Sequence, residues 1–181
     1  MDNTFVAVLL AGILANNYAI QNFLGIDTVL GNYTTANKSC KLGLLVTAVM
    51  VISTVICWPL QTYVLNSMAY LQTLAFVVVV LIVTEIVQKL AYSMTQKLMG
   101  EGFVMLAVNG AVLGLMIQNA ELGFGEALIS SVGVGLGFMA AMTVFASLRE
   151  RVEDEFVPKA FRGLPVSLLI AAMMSLVLFA F

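Results

Sequence analysis

Residues 5–27, FVAVLLAGILANNYAIQNFLGID, decide how the whole chain is to be read. The first nine, FVAVLLAGI, carry no polar side chain, yet from Leu14 onward the run adds Asn16, Asn17, Gln21, Asn22 and finally Asp27. Side-chain amides are costly in hydrocarbon unless something nearby hydrogen-bonds them, so amides in such a segment answer either to a packing partner or to a ligand. The rest of the sequence settles what kind of segment this is.

Of 181 residues 61% are hydrophobic, only 8 are basic and 10 acidic, and the mean hydropathy is +1.04. A soluble core of this size cannot hide so much apolar surface, so the chain reads as an integral membrane protein in a lipid bilayer. The net charge of −2, with no long basic cluster, argues against nucleic acid as a partner. Histidine is absent, which removes the commonest metal ligand and general base and leaves no Ser/His or Cys/His pair for catalysis. Asp2, with no Lys or Arg ahead of the first apolar run, favours a first transmembrane span over a cleaved signal peptide. Cys40 and Cys57 flank a continuous apolar stretch roughly 25 Å long as helix, too far apart for a disulfide or a shared metal.

A helix needs about 20 mostly apolar residues to cross a bilayer. Six segments qualify or nearly do, at about residues 4–26, 42–65, 69–88, 103–118, 127–148 and 164–181. The fourth is short and contains glycine. All eight basic residues then fall between spans one and two (Lys38, Lys41), three and four (Lys89, Lys97), or five and six (Arg149, Arg151, Lys159, Arg162). The connections on the other side, around Asn66 and Ser67 and in NAELGFGEA, have none. The excess of Lys and Arg in cytoplasmic loops therefore places both termini outside.

Three spans per half require that two halves sharing a fold lie upside down relative to each other, as inverted repeats of about residues 1–95 and 96–181 within a single transmembrane domain. LANNYAI at residues 14–20 echoes LAVNGAV at residues 106–112, which aligns Asn17 with Asn109 in the first span of each half. Many transporters build a midplane ion site from such repeats, with broken first helices offering their ends to a ligand. Asn17 and Asn109 are accordingly candidates for a midplane site. Asn16 and Asn22 read as cross-helix hydrogen-bonding residues, a role that contributes about 0.6 kcal/mol on average.

Glu85, in LIVTEIVQKL, is either an ion or proton ligand or half of an i,i+4 pair with Lys89. Gly135-x-Gly137-x-x-Ala140 superficially suits a dinucleotide, but no strand precedes it and it lies within a span. Gly133, Gly137 and Ala141 instead form a small-residue stripe for close helix packing. The loop RERVEDEFVPKAFRG, residues 149–163, is either a solvated connector or a docking surface for cytoplasmic subunits, with Arg149, Arg151, Phe161 and Arg162 the candidate contacts.

NNYAIQNFLG, LQTLAFVVVVLIVTEIVQK, NGAVLG and RER…VPKAFRG, in this order along nearly the whole chain, resemble the A-type subunits of the Rnf ion-translocating electron transport complexes. That family is related to the integral subunits of the sodium-pumping NADH:quinone reductase. The resemblance implies an all-α fold of six transmembrane helices in two inverted three-helix halves, in a bacterial or archaeal plasma membrane. It also implies a homologous partner subunit of opposite topology, and a complex that couples electron flow between ferredoxin and NAD to Na+ or H+ transport.

In the family each of the two membrane subunits brings two cysteines to a shared iron–sulfur centre. This sequence has Asp27 and Gly110 at the two family cysteine positions, and neither Cys40 nor Cys57 is placed to substitute. Asp27 is a hard oxygen donor and Gly110 has no side chain, so no complete metal centre is expected here. An anion at Asp27 instead suits a cation path or the capping of a helix end. The expectation is a non-catalytic membrane subunit of a redox-driven ion translocase, binding no cofactor by itself. The rival is a secondary transporter or channel-like subunit with a midplane polar site and no redox role, and a structural scaffold subunit is a third reading.

Overall fold

The computed structural model describes residues 36–63, 69–90, 110–152 and 157–179. Their regular structure is helical: α1 (Ala36–Tyr63), α2 (Gln72–Leu90) behind a 3-10 turn at Ala69–Leu71, α3 (Gly110–Asn119), α4 (Phe124–Arg151), and α5 (Leu164–Phe179) behind a 3-10 turn at Lys159–Phe161. Among the described residues two helices are long and apolar enough to cross a membrane, Ser39–Tyr63 and Phe124–Arg151. The segments Gln72–Val87, Gly110–Asn119 and Leu164–Val177 are shorter apolar helices. The span expected at residues 4–26 lies outside the described residues, as do residues 103–109 of the fourth.

At several ends the helices run past the expected spans. The second expected span begins at Leu42, whereas α1 begins at Ala36, and α4 extends the fifth by three residues at each end. Helix and hydrocarbon need not end together, because a helix terminus can continue into water if its dipole is complemented. Glu126 lies in the first turn of α4 and Arg149 and Arg151 in its last, which is the favourable sense at both ends. Inside the apolar stretches, hydroxyls are satisfied locally. Thr47, Thr84 and Thr143 each donate to the carbonyl four residues earlier, at 2.7, 2.7 and 2.8 Å.

The central pairing is α1 against α4. Gly43 lies against Met139, Thr47 against Gly135, Thr54 against Ser131 and Trp58 against Phe124. Partner numbers fall as α1 numbers rise, so the two helices are antiparallel over their length. The backbones approach closely where the small residues lie. A Cβ placed on Gly43 would stand 2.7 Å from the Met139 Cα, and one on Gly135 only 2.5 Å from the Thr47 methyl. Gly133, Gly137 and Ala141, the stripe read from the sequence, are buried on α4. In a bilayer such packing replaces the hydrophobic effect as the source of helix association.

Gly43→Ala is therefore expected to lower the stability of the detergent-purified chain by about 1–3 kcal/mol through overpacking. Gly125→Ala, where nothing lies within 4 Å, serves as its control. Thermal unfolding of the two variants side by side checks this, and equal melting would refute the close seam.

α2 and α3 complete the bundle around α1. Leu42, Leu45 and Val49 of α1 cluster with Val83 and Val87 of α2. Farther along, Met50 and Cys57 join Phe76, Val80, Val112, Leu115, Met116 and Phe138. The order of these contacts makes α2 antiparallel to α1 as well, so Lys41, Lys89 and Arg149 with Arg151 all belong to one end of the bundle. Tyr63, Tyr70 and Phe124 belong to the other. α5 leans on α4 and buries Val166 and Ser167, while Leu164, Leu168, Leu169, Met173, Leu176 and Val177 stay exposed. Together with exposed Leu44 and Ile52 on α1 and Leu74, Val78 and Ile82 on α2, this leaves an apolar exterior that water does not tolerate and lipid does.

Candidate functional site

The described bundle holds one cross-helix cluster of buried side-chain polar groups, near the end away from the basic residues. Asn119, the last residue of α3, turns its amide inward and is 3% exposed. Its Nδ2 is 2.9 Å from Ser131 Oγ, 3.2 Å from the Ala127 carbonyl and 3.4 Å from Thr54 Oγ1. Thr54 and Ser131, both fully buried, stand 2.6 Å apart, hydroxyl to hydroxyl. Thr54 also reaches the Met50 carbonyl at 2.9 Å, and Ser131 the Ala127 carbonyl at 2.7 Å. Asn119 Oδ1 has no hydrogen-bond partner among the described residues, although buried.

Local chemistry explains the arrangement. The turn from α3 to α4 is short, closed by Ala120 N–H to the Met116 carbonyl and Leu122 N–H to the Asn119 carbonyl. A connection this short brings the two helices together as antiparallel neighbours and carries Asn119 over Ala127 and Ser131. Trp58 of α1 fastens the turn from the other side. Its Nε1 donates to the Leu122 carbonyl at 2.9 Å, and its ring lies 5.1 Å from that of Phe124 at a tilt of 60°. Beside the cluster runs a narrow cleft lined by Thr54, Cys57, Trp58, Phe76, Met116, Asn119 and Ala120.

The positions singled out in the sequence fare differently. Asn17, Asp27 and Asn109 lie outside the described residues. Gly110 is the first residue of α3 and is half-buried. Glu85 is exposed on α2, beside exposed Ile82 and Ile86, and is remote in sequence and helix end from the Asn119 cluster. Arg149 and Arg151 occupy the last turn of α4. Phe161 is half exposed, and Arg162 Nε donates to the Val157 carbonyl at 3.0 Å, bracing the turn before α5. There Gly163 takes φ +84°, a conformation that favours glycine. Cys40 is exposed and Cys57 buried, and both are free thiols.

Thr54, Asn119 and Ser131 were not distinguished by sequence reasoning. Asn119 read as the start of a polar loop. The available signal was that NAELGFGEA holds an amide immediately after an apolar helix, with hydroxyls inside both long flanking spans.

An all-helical bundle with an apolar exterior, a glycine-lined seam and a buried amide–hydroxyl cluster defines a membrane protein. The chain belongs to the Rnf-Nqr subunit family of membrane proteins, whose pattern it matches over residues 5–181. It is 32% identical over 185 residues to the A-type subunit of the Na(+)-translocating ferredoxin:NAD(+) oxidoreductase complex of Acetobacterium woodii, covering 98% of this chain and 96% of that one. It is 33% identical to the A-type subunit of the ion-translocating oxidoreductase complex of Syntrophotalea carbinolica, over 96% and 94% of the two chains. With the A-type subunit of the ion-translocating oxidoreductase complex of Escherichia coli it shares 30% identity, over 98% and 95%.

Proposed function

We propose that this chain is the A-type membrane subunit of an ion-translocating oxidoreductase complex that couples electron transfer between ferredoxin and NAD to transport of Na+ or H+. The observation that carries this reading is identity of 30–33% with A-type subunits along nearly the full length of both chains. Six spans in two inverted halves, a homologous partner subunit of opposite topology, and a midplane site containing Asn17 and Asn109 complete the proposal. So does an orientation with both termini outside the plasma membrane. Convergence of Lys41, Lys89, Arg149 and Arg151 at one end of the bundle supports that orientation. An engineered Ser67→Cys is expected to react with an impermeant thiol reagent added outside intact cells, and Lys97→Cys only after the membrane is opened. The reverse pattern would invert the topology.

The residues of this chain do not fit the family's iron–sulfur centre. Gly110, at the start of α3, offers no ligand atom. Cys40 is exposed in the first turns of α1, and Cys57 sits in the core roughly 25 Å farther along the same helix. Two thiols so separated cannot serve one cluster, and no electron step is assigned to this chain. That mismatch favours one alternative, a transporter subunit without a redox role.

Affinity purification of the tagged chain from its native membrane separates the two. The proposal expects flavin-bearing and ferredoxin-like subunits to copurify, and vesicles of the assembly to take up ions when given reduced ferredoxin and NAD. Recovery of the chain alone, active in ion or solute uptake, would establish the alternative.

A further inference from the structure

The turn that leads into α5 carries two cations at the head of an apolar face. Lys159 and Arg162 are exposed, and three residues apart around a 3-10 turn they fall on the same side of it. Phe161 stands between them in sequence, 50% exposed, and Leu164 and Leu168 follow one helical turn apart on α5, 61% and 51% exposed. The turn is held firmly. Pro158 and Pro165 fix the backbone on either side, the Phe161 N–H donates to the Pro158 carbonyl at 2.8 Å, and Arg162 Nε donates to the Val157 carbonyl at 3.0 Å. That last bond uses one guanidinium N–H and leaves the two terminal NH2 groups over. Among the described residues no carboxylate pairs with Arg162 or Lys159.

Depth follows from length. The 16 residues of α5 include no charged side chain and make about 24 Å of helix, close to the roughly 30 Å of a hydrocarbon core. Leu164 therefore lies at the edge of the hydrocarbon, with Lys159 and Arg162 among the headgroups. The patch crosses from one zone into the other, so whatever covers it has to be charged at one end and apolar at the other. A soluble subunit does not enter hydrocarbon, whereas a phospholipid occupies both zones at once. Two cations without a neighbouring carboxylate suit a headgroup of net negative charge, because they offer nothing to the ammonium of a zwitterionic one.

We propose that Lys159, Phe161, Arg162 and Leu164 form a seat for one anionic phospholipid. Its phosphate takes the Arg162 fork and the Lys159 ammonium, and an acyl chain lies along Leu164 and Leu168. The seat rests on α5 lying in a membrane and goes beyond the ion-translocase reading, on which it does not depend. Residues 149–163 hold four acidic and four basic side chains, so the cations at 159 and 162, and not the loop as a whole, carry the recognition.

The full-length chain in neutral detergent is mixed with equal amounts of phosphatidylglycerol and phosphatidylcholine of matched acyl chains, and bound lipid is counted by native mass spectrometry. Preferential retention of phosphatidylglycerol is expected. Lys159→Gln should weaken it about fivefold and Lys159→Gln with Arg162→Gln about 25-fold, the equivalent of about 1 kcal/mol for each cation. Lys41→Gln with Lys89→Gln removes the same charge from α1 and α2 and should leave this lipid in place. Melting in detergent identifies a double variant that fails to fold. Lys159→Gln alone then decides, since it leaves the Arg162 brace untouched. Equal retention of the two lipids, equal losses in the elbow and control variants, or displacement of the lipid by inorganic phosphate at constant ionic strength overturns the seat. Unchanged lipid binding in Lys159→Gln, with loss of soluble subunits from the tagged complex, would overturn it as well and give the elbow to a protein.

Discussion

Trp58→Ala is expected to lower the stability of the chain by about 3 kcal/mol, the low end of the range for truncating a large aromatic because Trp58 is only partly buried. Three losses combine. The indole leaves a void against the cleft, its contact with Phe124 disappears, and the Leu122 carbonyl loses its donor. Trp58→Phe separates these contributions. It keeps an aromatic body and removes the N–H, and should cost about 1 kcal/mol. Thermal unfolding of both variants in the same detergent gives the comparison. Equal effects would assign the whole role to the hydrogen bond, and no effect from either would show that the turn between α3 and α4 does not depend on α1.

The second large effect concerns iron. The chain purified with its membrane partner is expected to contain no stoichiometric iron–sulfur centre, and Asp27→Cys combined with Gly110→Cys is the change most suited to restore one. Thiolate is soft and binds iron deprotonated, whereas a carboxylate is hard and glycine provides nothing. Iron analysis and electron paramagnetic resonance of the reduced pair read the outcome. A stoichiometric cluster in the unaltered protein, lost on changing Asp27, would show that a carboxylate serves as a ligand.

Much of the fold was legible because bilayer thickness sets helix length. The apolar runs around Val46, Val79 and Val134 announce helices, and the charges at Lys41, Lys89 and Arg149 mark a common end. The small residues Gly133, Gly137 and Ala141 gave away a packing face. The rest was hidden for a physical reason. A helix that is apolar all round has no polar stripe to reveal which side meets which neighbour, so the pairing of Thr54 with Ser131 could not be read. A hydroxyl inside such a helix looks the same in sequence whether it bonds its own backbone, as Thr84 does, or also reaches another helix, as Thr54 does. Asn119 was misread as loop because a polar residue at a helix end usually faces water, whereas the short turn after it folds the amide back beneath α4. The candidates Asn17, Asp27 and Asn109 lie outside the described residues, so their reading rests on the sequence.

The seam between α1 and α4 also sets a timetable for biogenesis. Gly43 and Thr47 must wait for Met139 and Gly135, which are roughly ninety positions downstream. At a synthesis rate of about 5–20 residues per second, that delay is on the order of 5–20 seconds. Through that interval α1 resides in the membrane without its principal neighbour, its glycine groove open to lipid or to any other helix that fits. A newborn chain of this design is thus vulnerable to mispairing early and secure late. Insertion chaperones, or a partner helix already in place, would act during that window rather than on the finished bundle.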